Sequence, residues 1–69
     1  MKFTKTQRGF DYAEFVDAYG VQCSIQKSSL ASEDAIWLGT EKDRMHLTQD
    51  MVKQLLPYLV NFAETGELI

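Results

Sequence analysis

Two hydrophobic periods run along this chain. From Tyr12 to Ser28 the period is two, with Val21, Cys23 and Ile25 alternating against Gln22, Ser24 and Gln26, the pattern of a half-buried strand. Ala13 to Asp17 is the expected partner strand. Asp17-Ala18-Tyr19-Gly20 between them offers an acid to open a turn and a glycine able to take positive φ, which predicts a hairpin with a glycine bulge. Ala35 to Thr40 (AIWLGT) is a short β-favourable run. The Glu41-Lys42-Asp43-Arg44 turn follows it, and Met45 to Leu47 is a candidate fourth strand.

From Leu47 to Gly66 the period becomes that of a helix. Val52, Leu55, Leu56, Leu59 and Ala63 share one face and Phe62 widens it. Both ends are marked. Thr48 is placed to cap the first turn, Leu47 to staple onto Val52, and Gly66 to close the last turn in the left-handed conformation. Pro57 falls inside, where it removes a backbone hydrogen bond and predicts a kink near Lys53 to Pro57. Ser28 to Asp34, rich in Ser and acids, reads as a loop or a single helical turn. The fold class expected is α+β: three or four antiparallel strands packed on one C-terminal amphipathic helix, as a single domain over residues 1–69. In that arrangement the helix covers the apolar sheet face, and Leu55 and Leu59 belong to the core.

Composition changes the picture in two ways. With 69 residues, the chain is of a size that buries only about 60% of its extended surface. The helix also carries Val60 and Phe62 beyond its central stripe, and the expectation is a homodimer that buries the excess. Second, the net charge of −3 conceals an asymmetry, because the segment 1–10 holds Lys2, Lys5 and Arg8 and no acid, whereas residues 11–69 hold ten acids against four bases. Nucleic-acid affinity rests on Lys and Arg neutralising phosphates, so the acidic body argues against direct nucleic-acid binding and suits a basic protein surface.

The chemistry present is sparse. Cys23 is the only cysteine and His46 the only histidine. Neither an internal disulfide nor a four-ligand zinc site is available from one chain. The alternation places Cys23 on the buried face beside Val21 and Ile25, away from a nucleophile's role. His46, just ahead of the helix cap, reads as a surface or hydrogen-bonded residue. The four glycines are dispersed, so no glycine-rich phosphate cradle exists. Glu33-Asp34 and Glu41 with Asp43 are acids of turns, with no further ligands in a metal spacing. No catalytic residue, cofactor or metal is expected. Neither a signal peptide nor a membrane span is read, so the expected compartment is the cytoplasm.

What remains is surface recognition. Gln22, Ser24, Gln26 and Ser28 share one face, and Trp37 has opposite parity to Ile36 and Leu38, so a tryptophan beside a polar row forms the candidate anchor. The register of so short a strand leaves open the alternative that Trp37 fills the core and Ile36 faces out. Tyr19 at the hairpin tip is a second exposed aromatic, and Glu33 and Asp34 are the candidate charges for a basic partner.

The stretches Phe15-Val16-Asp17-Ala18-Tyr19-Gly20, Cys23-Ser24-Ile25-Gln26-Lys27-Ser28-Ser29-Leu30-Ala31, Ile36-Trp37-Leu38-Gly39 and His46-Leu47-Thr48 together resemble the small orphan proteins of phages and prophages. That group includes inhibitors of host defence such as anti-CRISPR proteins. The resemblance implies a non-enzymatic protein-binding inhibitor that acts on a bacterial host protein and blocks a basic nucleic-acid-handling surface. It carries no functional residue across. The alternatives are a small-ligand-binding or sequestering protein with its pocket at a subunit interface, and a structural phage component.

Overall fold

The computed structural model describes all residues, 1–69. Five strands lie in chain order in one antiparallel sheet: β1 (Thr4–Lys5), β2 (Asp11–Val16), β3 (Gln22–Lys27), β4 (Ala35–Thr40) and β5 (Arg44–Thr48), followed by α1 (Gln49–Thr65). The class is α+β, but the strand count is five rather than three or four. The additional strand, β1, lies within the basic N-terminal segment and pairs Thr4 with Tyr12 and Lys5 with Asp11.

The β2–β3 turn has the expected glycine-bulge geometry. Gly20 takes φ 80°, its N–H donates to the Asp17 carbonyl at 3.0 Å, and Asp17 N–H donates to the Val21 carbonyl at 3.0 Å. The Asp17 carboxylate adds two bonds from Tyr19 and Val21 N–H, at 2.8 and 2.9 Å. This is an acid satisfying backbone donors that the turn leaves without strand partners. Val21 itself falls in the turn, before β3, and is exposed.

Register sorts the side chains onto two faces, because neighbours across antiparallel strands point the same way. Ala13 pairs with Ile25 and Ile25 with Leu38. Leu38 pairs with Met45, and Ile36 with Leu47. This is the apolar face, shared by Phe15 and Cys23. Tyr12 pairs with Gln26, Gln26 with Trp37 and Trp37 with His46, so these four form a row across the opposite, polar face.

α1 begins and ends where the sequence marks it. Thr48 Oγ1 accepts from Met51 N–H at 3.2 Å, and Gly66, at φ 81°, donates its N–H to the Phe62 carbonyl. The helix is unbroken from Gln49 to Thr65, with Pro57 inside it.

Its placement, however, overturns the expected packing. None of its residues is buried, Leu55, Leu59 and Phe62 are 41%, 54% and 55% exposed, and its main contact with the sheet is β5. The reason lies in the connection: Thr48 is at once the last residue of β5 and the helix cap. No linker residues remain to turn the chain back over the sheet. Gln49 N–H is instead tied to the Asp34 carbonyl at 3.1 Å. A shallow groove of about 280 Å³, lined by Ile36, Leu47 and Val52 with Lys27, marks the angle between sheet and helix.

The interior is correspondingly thin. The only buried apolar residues are Ala13, Cys23 and Ala35, and Ile25, Ile36, Leu38 and Leu47 are only half-buried. Cys23 is buried and free, as its parity predicts.

Candidate recognition surface

The polar sheet face is organised around Trp37. Its indole stacks on the His46 imidazole with ring centroids 3.8 Å apart and planes 6° from parallel. The Arg44 guanidinium carbon stands 5.3 Å from the indole centroid. A cation over an aromatic ring at a partly exposed site contributes about 0.5–1 kcal/mol. The strand alternation alone puts Arg44 and His46 on one side of β5, facing Trp37 across the β4–β5 ladder.

Each neighbour of the tryptophan is itself held. His46 Nε2 lies 2.9 Å from Ser28 Oγ, and that oxygen accepts from Leu30 N–H at 3.1 Å. Which of Ser28 Oγ and His46 Nε2 donates depends on the imidazole tautomer. Arg44 Nη1 donates to Gln26 Oε1 at 3.0 Å. Trp37 is half-buried in this setting, with both flanking groups pinned to β3 and its loop. The parity that sets Trp37 opposite Ile36 and Leu38 is the one found.

Toward β1 the face continues through carboxylate chemistry. Tyr12 Oη donates to Glu14 Oε1 at 3.0 Å, and Gln22 Nε2 donates to Glu14 Oε2 at 3.2 Å. The Glu14 bond is the main reason the Tyr12 phenol is pushed above its ordinary range, helped by desolvation and by the negative charges of Glu14 and Glu41. Ser24 is buried between these neighbours.

Gly39 completes the face by what it lacks. It lies opposite Ser24 and Arg44 in the ladder with φ 144°, and a Cβ there would meet the Asp43 carbonyl oxygen at 2.8 Å and Arg44 Cα at 3.1 Å. Only glycine lets β5 approach this closely at Arg44.

The residues singled out from sequence do not all come together. Gln22, Ser24, Gln26 and Trp37 share the polar face. Tyr19 stands 94% exposed at the β2–β3 turn, beyond one end of the strands. Glu33 and Asp34 lie in the β3–β4 loop at the other end, and Asp34 is engaged with Lys27 Nζ at 2.9 Å. The sequence reading does not reach Tyr12, Glu14 or Arg44, whereas His46, expected to be a surface or hydrogen-bonded residue, is both. Arg44 is reached by the alternation Arg44, His46, Thr48, because the strand begins at Arg44, one residue before the expected Met45.

No group of three or more His, Cys, Asp or Glu side chains is arranged to hold a metal ion, and no helix is long and apolar enough to cross a membrane. No protein-family model matches the chain, and no match is found among the curated proteins or the solved structures.

Proposed function

We propose that this chain is a non-catalytic binding module that holds another protein on its polar sheet face, with Trp37 as the anchor. The observation that carries the reading is the ordered cluster of Trp37 stacked on His46, with Arg44 5.3 Å from the indole, on a face otherwise lined by amides, hydroxyls and a carboxylate. Tryptophan and arginine are the side chains most often dominant in binding energy. Holding them in place before contact reduces the ordering entropy lost on association.

Charge suggests the kind of partner. Acids stand around the row: Glu14 on the face, Glu41 and Asp43 at one end of the strands, and Glu33 and Asp34 at the other. A protein with a basic, nucleic-acid-handling surface complements this rim, and the resemblance to phage proteins supports a partner from a bacterial host and an inhibitory outcome. Opposite charges would speed encounter, and the tryptophan would hold the complex.

The test is affinity capture from bacterial lysate, after nuclease treatment, with the parent chain and with Trp37→Ala and Arg44→Ala side by side. A protein retained by the parent at low salt, released at high salt and lost with both variants supports the reading. Retention unaffected by either substitution, or recovery of nucleic acid or a small metabolite as the bound species, rejects it.

A further inference from the structure

We propose that α1 forms an antiparallel helix pair with α1 of a second copy of this chain, on a surface separate from the polar sheet face. The accessible surface of the single chain is 5658 Å² for 7.9 kDa, whereas a compact monomer of that mass exposes about 4,400 Å². The excess of about 1,200 Å² exceeds the roughly 800 Å² that each partner contributes to a standard stable interface. The radius of gyration agrees, at 13.2 Å against about 11 Å for a compact chain of this length.

The large apolar side chains left exposed include Met51, Leu55, Leu56, Tyr58, Leu59, Val60 and Phe62, all on the helix. Val52, Leu55, Leu59 and Phe62 follow one another at spacings of three, four and three residues, the seam of a two-helix coiled coil; Leu55, Leu59 and Phe62 are exposed, and Val52 is half-buried at the edge of the groove between helix and sheet. Leu56 and Ala63 flank it on one side and Met51 and Tyr58 on the other, with no charge among them. The spacing reads the same in both directions about Pro57. An antiparallel pair with its two-fold axis at Pro57 therefore stacks Leu55 of one copy on Leu59 of the other and Val52 on Phe62, matching small against large. Pro57 falls on the outer side of the seam. This arrangement also opposes the two helix dipoles and keeps the two sheets at opposite ends of the pair. An isologous contact of this kind closes at two copies.

The experiment uses the full chain: sedimentation equilibrium across the micromolar range, and isotope-filtered NMR on a mixture of labelled and unlabelled protein. The expected result is a dimer mass with intermolecular contacts between Leu59 methyls and Leu55, and between Phe62 and Val52. Leu59→Lys should raise the dissociation constant at least 100-fold. A monomer mass throughout, or a dimer whose intermolecular contacts fall on the sheet, overturns the proposal. Should Leu59→Lys fail to fold, the intermolecular contacts of the parent decide. Failure here leaves the Trp37 reading untouched, since Trp37→Ala and Arg44→Ala alter a different surface.

Discussion

Replacing Gly39 by alanine separates backbone strain from steric collision at the point where β4 meets β5. Two effects act on this residue. Its φ of 144° is a conformation that L side chains rarely adopt, and holding a non-glycine residue in such a region costs on the order of 1–3 kcal/mol. The added Cβ would also lie 2.8 Å from the Asp43 carbonyl oxygen and 3.1 Å from Arg44 Cα. Both are backbone atoms with no rotamer to relieve the clash, so the ladder must open, and overpacking of this kind costs about 1–3 kcal/mol more. The sum, about 2–6 kcal/mol, is a large part of the stability of roughly 3–10 kcal/mol expected for a chain of this length. Gly20 is the internal control: its φ is 80°, but nothing lies within 4 Å of an added Cβ, so Gly20→Ala should show the conformational term alone, about 1–2 kcal/mol. Urea unfolding of both variants, at equal protein concentration, measures the difference. A Gly39→Ala variant no less stable than Gly20→Ala would refute the argument that close approach of β5 requires a glycine there.

The helix cap and the tyrosine give further checks. Thr48→Ala removes the acceptor for Met51 N–H and should cost about 1 kcal/mol. Because α1 packs so little on the sheet, hydrogen exchange should show the loss first in its opening turn, with sheet amides less affected; uniform loss would contradict the open placement of the helix. Tyr12 should ionise above its ordinary range, chiefly because its hydroxyl donates to Glu14, and Glu14→Gln should bring the titration down, as read by NMR of ring-labelled tyrosine. Since the folded-state pKa is raised above the unfolded value, this group's contribution to stability is fully present below the unfolded pKa and is lost as pH rises through the folded one. A Tyr12 titration unmoved by Glu14→Gln would show that the hydrogen bond is not the cause.

The strand faces were legible from sequence because period-two alternation and side-chain direction are the same fact. Cys23 and Ile25 against Ser24 and Gln26 predict the faces that the ladder shows, whereas Val21 falls outside the strand and is exposed, and which face Trp37 takes is decided by the ladder and not by the sequence. The helix ends were legible for a similarly local reason, since Thr48 and Gly66 act through hydrogen bonds within their own turns. What the helix stripe packs against was not legible. An apolar stripe states that something must cover it, and a strand that ends on the cap residue itself leaves no slack for its own sheet to do so. β1 was hidden because its two residues pair through backbone bonds and contribute no apolar alternation. Arg44 was hidden because its turn-like neighbours Glu41, Lys42 and Asp43 outweighed the single alternation that continues into His46.

Trp37 as the anchor of a recognition face is the central claim, and the dissociation rate of Trp37→Ala from the captured protein partner tests it most directly. Surface plasmon resonance at low and high salt separates the two parts of the interaction. Loss of the anchor should speed dissociation by roughly 30-fold or more, the equivalent of about 2 kcal/mol for a dominant interface residue, while salt acts mainly on the association rate. A Trp37→Ala chain that keeps its parent's fold and dissociates at its parent's rate would contradict the central claim.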